Sequence, residues 1–195
     1  VSPRIGLFGG TFDPPHVGHL AVARAVREQL ALDTVLLEVA HQPWQKAGNA
    51  ITPSEVRFEM VTALVEGEPG IQADNREILR GGNTFTIDTV RQIKDEMPDA
   101  EIFLVIGEDS AHQFHTWREH ETLARLSTLV VVNRPDHDTA TPAGVANMVR
   151  VVMPDVPVSS TKVRAAVAAG EDIAGFTSAE VARIVSAHNL YRSAQ

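Results

Sequence analysis

The sequence predicts an α/β protein: a doubly wound parallel sheet of about five to six strands, with helices on both faces and a further helical segment at the C-terminal end. Three observations carry this. Short apolar runs rich in branched residues alternate with segments of helical period, the pattern left by repeated strand-helix-strand crossovers. The runs EIFLVI and TLVVVN are apolar at nearly every position, as strands covered on both faces are. The first strand passes through a glycine pair into a helix, a junction typical of ligand-binding α/β sheets.

The elements follow in order. Residues Arg4 to Gly9 form the first strand, with Ile5, Leu7 and Phe8 bounded by glycines. From Val17, the apolar residues Leu20, Ala23, Val26 and Leu30 recur at helical spacing. Thr34 to Val39 is the second strand. A helix then opens at Thr52 as N-cap, with Pro53 in its first turn and Glu55 completing a capping box, and runs to about Glu66. Ile71 to Leu79 is a third strand, and Thr86 to Met97 a helix stopped by Pro98. The strands Glu101 to Ile106 and Thr128 to Asn133 flank a helical segment from Arg118 to Leu126. Pro135 to Asn147 lacks a period and reads as loop. Near the C-terminal end, Ser160 or Thr161 caps a helix that stops at Gly170, and Thr177 with Glu180 opens a last one to about Ala187. The whole reads as one domain over residues 1–195, of Rossmann-like architecture.

Composition sets the class of function. The chain has 195 residues, 44% hydrophobic and 22% charged, which is the balance of a folded domain rather than a disordered or fibrous chain. With 17 Lys+Arg against 25 Asp+Glu, its net charge is -8, so a broad basic surface for nucleic acid is not expected. There is no cysteine, which excludes disulfides, thiolate metal sites and a thiol nucleophile, and fits a cytoplasmic location. The opening VSPRIGLFGG does not read as a signal peptide, and no apolar stretch approaches the ~20 residues of a membrane span. The sequence leaves a homo-oligomer open.

The segment GGTFDPPHVGHL, Gly9 to Leu20, concentrates the chemistry. His16 and His19 stand at i, i+3, near one face of a helix, so they can chelate a metal or meet an anion together. A zinc site needs three or four ligands, and the segment adds only Asp13. No protein-built metal site is expected. For an anion the parts are better matched: Gly9 and Gly10 let the backbone approach a ligand, the helix start offers N–H groups and a positive dipole end, and the imidazoles donate hydrogen bonds. A plain turn with two surface histidines is the remaining reading. The patterns GxGxxG and GxxxxGKS are both absent, against dehydrogenase and P-loop chemistry.

GGTFDPPHVGH resembles the HxGH signature of the nucleotidylyltransferase superfamily and, in its longer form, the bacterial nicotinate-nucleotide adenylyltransferases. A second block, Ser159-Ser160-Thr161-Lys162-Val163-Arg164, is similar to the superfamily's C-terminal ISSTxxR, with Val158 in place of isoleucine. GGNTFTIDTV (from Gly81) and GEDSAHQFHTW (from Gly107) resemble further blocks of the narrower family. QPWQK, with Trp44, is similar to its actinobacterial branch. Asp136 departs from a glycine frequent after Arg-Pro, and Arg134 receives no role.

The resemblance implies transfer of the adenylyl group of ATP to nicotinate mononucleotide, giving nicotinate adenine dinucleotide and pyrophosphate. It implies that ATP meets Gly9, Gly10, Thr11, Phe12, His16, Gly18, His19, Gly107, Asp109, Ser159, Ser160, Thr161 and Arg164. Among these His16, His19 and Arg164, together with Lys46, act on the phosphates. It further implies that nicotinate mononucleotide meets Lys46, Thr84, Phe85, Thr86, Trp117 and Arg118, with Trp117 stacking on the pyridine ring. Mg²⁺ is expected on the ATP phosphates, without a protein carboxylate. Transferases specific for nicotinamide mononucleotide, cytidylyl and pantetheine-phosphate transferases, and a non-catalytic nucleotide-binding module are the alternatives. The Gly81 and Gly107 blocks argue against the cytidylyl and pantetheine-phosphate enzymes.

Overall fold

The computed structural model describes residues 2–42, 51–133, 145 and 147–192. In chain order the strands are β1 (Arg4–Gly10), β2 (Thr34–Val39), β3 (Ile71–Asp74), β4 (Glu101–Gly107), β5 (Thr128–Asn133) and β6 (Met148–Val152). The helices are α1 (Val17–Gln29), α2 (Ser54–Val65), α3 (Arg76–Arg80), α4 (Thr86–Glu96), α5 (Glu108–His112), α6 (His120–Leu126), α7 (Ser160–Ala168) and α8 (Ala179–Ala187). Among the described residues the strands form one sheet of six in the order β3-β2-β1-β4-β5-β6, every pairing parallel. Strand order therefore reverses between β1 and β4, and in such sheets a crevice opens there beyond the carboxyl ends.

Alternation along the strands sends side chains to opposite faces, and each face has its own core. Ile5, Leu7, Leu36, Leu104 and Ile106 pack with Ile87, Val90 and Ile93 of α4 and Leu123 of α6. Val35, Leu37, Phe103, Val105 and Val130 pack with Ala23 and Val26 of α1 and Val61 of α2. A third cluster joins Met60 and Leu64 of α2 to Val163 of α7 and Val181, Ile184 and Val185 of α8. The C-terminal helices are thus fastened to α2. No described helix is long and apolar enough to cross a membrane.

The structure corrects the sequence reading at several boundaries. β3 ends at Asp74, because the Asp74 carboxylate accepts from the backbone N–H of Arg76 at 3.0 Å and turns the chain into α3. α6 starts at His120, after Glu119 takes a left-handed backbone with φ 50°. β6 is an edge strand joined only to β5. It buries Val151 but leaves Arg150 and Val152 exposed, so it lacks the apolar run that reveals a central strand. Three caps also move. Pro53, without a side-chain cap, precedes α2, Ser159 caps α7 by accepting from Lys162 N–H, and Ser178 caps α8 by accepting from Val181 N–H. Thr52, Ser160 and Thr177 are thereby released for other bonds.

Candidate active site

Those bonds converge on one loop. Between β1 and α1, residues 11–16 present a row of backbone carbonyls, and four of them receive donors from distant parts of the chain. Arg57 Nη1 donates to Thr11 O at 2.7 Å, Arg164 Nη1 to Asp13 O at 2.7 Å, Ser160 Oγ to Pro14 O at 2.9 Å and Thr177 Oγ1 to Pro15 O at 3.0 Å. The Asp13 carboxylate accepts from Tyr191 Oη at 2.5 Å and from the Thr52 N–H at 3.3 Å, and Val17 N–H reaches Phe176 O at 3.0 Å. Arg57 is buried and also donates to Thr52 O and His41 O. The prolines offer no N–H, so satisfying their carbonyls completes their hydrogen bonding. The Asp13–Pro14 bond is cis, and Phe12 is left-handed at φ 51° with its ring buried. A Cβ on Gly10 would lie 2.8 Å from that ring, so only glycine fits there.

The clamped loop delivers two imidazoles to the start of α1. His16 and His19 stack with centroids 3.7 Å apart at 24°, and the Phe12 ring meets His19 edge-on at 4.9 Å. The His16 N–H donates to His19 Nδ1 at 3.1 Å. When His19 is neutral its proton therefore sits on Nε2, which makes that atom a donor. Burial lowers the His16 pKa to about 4, so His16 is neutral near pH 7, with one ring nitrogen a donor and the other an acceptor. Its Nδ1 is buried without a hydrogen-bond partner. A Cβ on Gly18 would come within 3.0 Å of His16 Nδ1 and 3.1 Å of Val158 Cγ1. The glycine between the histidines thus lets the chain ahead of α7 close over the ring.

Two cavities, each about 260 Å³, adjoin at the carboxyl ends of β1 and β4. The first is lined by Gly9, Gly10, Thr11, Glu38, Glu77, Thr84, Phe85, Thr86, Trp117 and Arg118, among others. The second is lined by His16, Gly18, His19, Val132 and residues 153–156, with Val158. Phe8, Ile106 and Gly107 line both. A Cβ on Gly9 or Gly107 would meet open space, so the backbone at both strand ends is accessible. Arg118 lies over the Phe85 ring at 4.7 Å and Trp117 packs against Phe114.

The structure thus brings together Thr84, Phe85, Thr86, Trp117 and Arg118 in one cavity and His16, Gly18, His19 and Gly107 in the other. Gly9, Gly10 and Thr11 line the first of these, and Phe12 is core. Asp109 is exposed on α5. Ser159 caps α7, while Ser160 and Arg164 bond the loop carbonyls, and Thr161 accepts from Arg164 Nη2. Lys46 and Arg134 lie outside the described residues. Among the described residues no group of three or more His, Asp or Glu is placed to hold a metal ion. Sequence reasoning missed Thr52, Arg57, Thr177 and Tyr191, whose partners are far away in the chain, and Glu38 and Glu77. For Glu38 a signal existed, as the single charge inside the apolar run TVLLEV.

Comparison with known proteins shows the family. The cytidylyltransferase-like family model matches residues 7–166. A protein of Leifsonia xyli subsp. xyli named "Probable nicotinate-nucleotide adenylyltransferase" is 38% identical over 98% of this chain and 95% of its own length. The chain belongs to the nicotinate-nucleotide adenylyltransferase family. A family member so named from Streptomyces coelicolor is 38% identical over 94% of this chain and 98% of its own. The fold agrees with the Plasmodium falciparum nicotinic acid mononucleotide adenylyltransferase complexed with NaAD, at TM-score 0.80 and 17% identity over 97% of each chain. Both histidines and the Ser159 to Arg164 block fall within the stretch matched by the family model, whereas Thr177 and Tyr191 lie beyond it.

Proposed function

We propose that this protein transfers the adenylyl group of ATP to nicotinate mononucleotide, releasing pyrophosphate and forming nicotinate adenine dinucleotide. The observation that carries the reading is the pair of cavities meeting at Gly107, where strand order reverses. One has imidazoles at a helix start for a triphosphate, and the other has Trp117 and the Thr84 to Thr86 segment for a pyridine nucleotide. The relatives' names supply the substrate pair.

The chemistry asks little of proton transfer. The nucleophile is the mononucleotide's own phosphate, whose second pKa of about 6 leaves it largely ionised at neutral pH. Its oxygen attacks the α-phosphorus of ATP in line, and the bond to the bridging oxygen breaks with pyrophosphate leaving. The protein's work is positioning two polyanions and stabilising the charge that develops. In this reading His19 Nε2–H and neutral His16 donate to phosphate oxygens beside the N-terminal N–H groups of α1. The Ser159 to Arg164 block approaches the β- and γ-phosphates, and Lys46 joins it as the resemblance implies. Mg²⁺ takes oxygen ligands and commonly keeps waters and substrate oxygens, and among the described residues no group of three or more His, Asp or Glu is placed to hold it, so in this reading it arrives on the ATP phosphates as part of the substrate.

Pyrophosphate release with Mg²⁺ and ATP, compared between nicotinate and nicotinamide mononucleotides, tests the reading. Release with the nicotinate substrate, and loss of it in His16→Ala, is the expected result. Absence of release with either mononucleotide, or full activity in His16→Ala, overturns it.

A further inference from the structure

The cavity assigned above to the pyridine nucleotide poses an electrostatic problem. Glu38 and Glu77 line it, 2% and 6% exposed, yet the ring to be bound carries a carboxylate of its own. Two buried carboxylates beneath a third would repel it strongly.

The groups facing Glu38 can be named from every neighbouring element. On the sheet, Glu38 lies level with Gly9 of β1 on one side and Asp74 of β3 on the other. From α3, the Glu77 N–H donates to Glu38 Oε1 at 3.0 Å, and Arg76 Nε stands 3.7 Å from Oε2. Arg76 is already engaged by Asp74 at 2.7 Å and Glu96 at 3.1 Å. From α4, Thr89 Oγ1 donates to Glu77 Oε1 at 2.8 Å, while Arg80 lies 3.9 Å from the same oxygen. Thr84, in the loop between α3 and α4, lines the same cavity. Three buried carboxyl groups thus face two guanidiniums, one of them shared with Glu96. Glu38 Oε2 is buried with no hydrogen-bond partner. An ionised carboxylate left without a hydrogen bond at this oxygen is far costlier to bury than a neutral carboxyl group.

We propose that Glu38 is a specificity-determining residue that holds a proton beneath the pyridine cavity, and that this neutral form is what admits a nucleotide with an anionic ring substituent. The proposal rests on the functional reading above. Burial and the neighbouring Asp74 and Glu77 carboxylates push the Glu38 pKa up to about 9, which places the neutral form across the physiological range. Deprotonation adds a charge below the ring that a carboxylate feels and an amide does not.

The experiment measures kcat/KM for nicotinate and nicotinamide mononucleotides from pH 7.5 to pH 10, in wild type and Glu38→Gln. Taking the ratio of the two substrates cancels effects common to both, such as general unfolding. If only the neutral acid admits the carboxylate, the wild-type nicotinate-to-nicotinamide ratio falls about tenfold by pH 10. The amide of Glu38→Gln mimics the neutral acid, so the variant keeps the wild-type ratio at pH 7.5 and holds it at high pH. A wild-type ratio that stays flat overturns the proposal. So does a tenfold change in the ratio on Glu38→Gln at pH 7.5, which would mean that Glu38 acts as a carboxylate. Loss of transfer with both substrates at pH 7.5 in wild type would instead sink the functional reading itself.

Discussion

Gly18→Ala separates positioning from stability. A residue in the first turn of α1 gains helix propensity on going from glycine to alanine, by up to about 1 kcal/mol. Against this, the new methyl would stand 3.0 Å from His16 Nδ1 and 3.1 Å from both His16 Cε1 and Val158 Cγ1. Overpacking of this kind costs about 1–3 kcal/mol, so the net loss is on the order of 0–2 kcal/mol. For a chain of this size that shifts Tm by only a few degrees, at roughly 2–4 °C per kcal/mol. The ring that must give way is His16, which is stacked on His19 and cannot move alone. Contacts of 3.0–3.1 Å oblige the ring to give by a few tenths of an ångström; since a misplacement of about 1 Å costs about 10²-fold in rate, the expected loss is roughly 3- to 10-fold. Thermal unfolding and steady-state pyrophosphate release on the same preparation are the assays. A well-folded variant with kcat reduced roughly 3- to 10-fold is expected, and an unchanged kcat would refute the claim that the glycine exists to seat His16.

Three further outcomes follow from the same geometry. Because burial brings the folded-state pKa of His16 to about 4, below the ordinary histidine value of 6.5, the native state favours the neutral ring. The associated stability is present above pH 6.5 and lost as pH falls towards 4, up to about 3 kcal/mol; denaturant titrations should show that His16→Asn flattens this acid limb. Tyr191→Phe removes the donor to Asp13 Oδ1 and the acceptor of Thr52 Oγ1–H, leaving buried groups short of partners at about 1–3 kcal/mol. It should lower Tm by several degrees and lower kcat, and an unchanged Tm would show that the C-terminal tie is dispensable. Trp117→Ala should raise KM for the mononucleotide about 3- to 10-fold through lost stacking, with KM for ATP unchanged; equal effects on both substrates would move Trp117 out of the pyridine cavity.

Most of the sheet was legible because its central strands announce themselves. TVLLEV, EIFLVI and TLVVVN have interiors covered on both faces and so are apolar at most positions. The edge strand β6 buries little and carries Arg150 mid-strand, which makes it indistinguishable from loop by period. The helix caps were misplaced by a residue or two for a related reason. Thr52, Ser160 and Thr177 all have the chemistry of a cap, and one-dimensional reasoning can offer a hydroxyl only local partners. In the folded chain these residues bond Tyr191 and the carbonyls of Pro14 and Pro15 instead.

The sequence alone determined the alternation of strands and helices, the glycine-lined junction after β1, the histidine pair and the second block at Ser159 to Arg164. All of these are local patterns or fixed spacings, which survive in one dimension. The tertiary structure decided which donors hold the histidine loop, that His16 is buried and neutral, that two cavities share Gly107, and that Glu38 stands beneath one of them. Each of these depends on groups distant in the chain meeting across the sheet, and burial and charge act through space rather than along sequence.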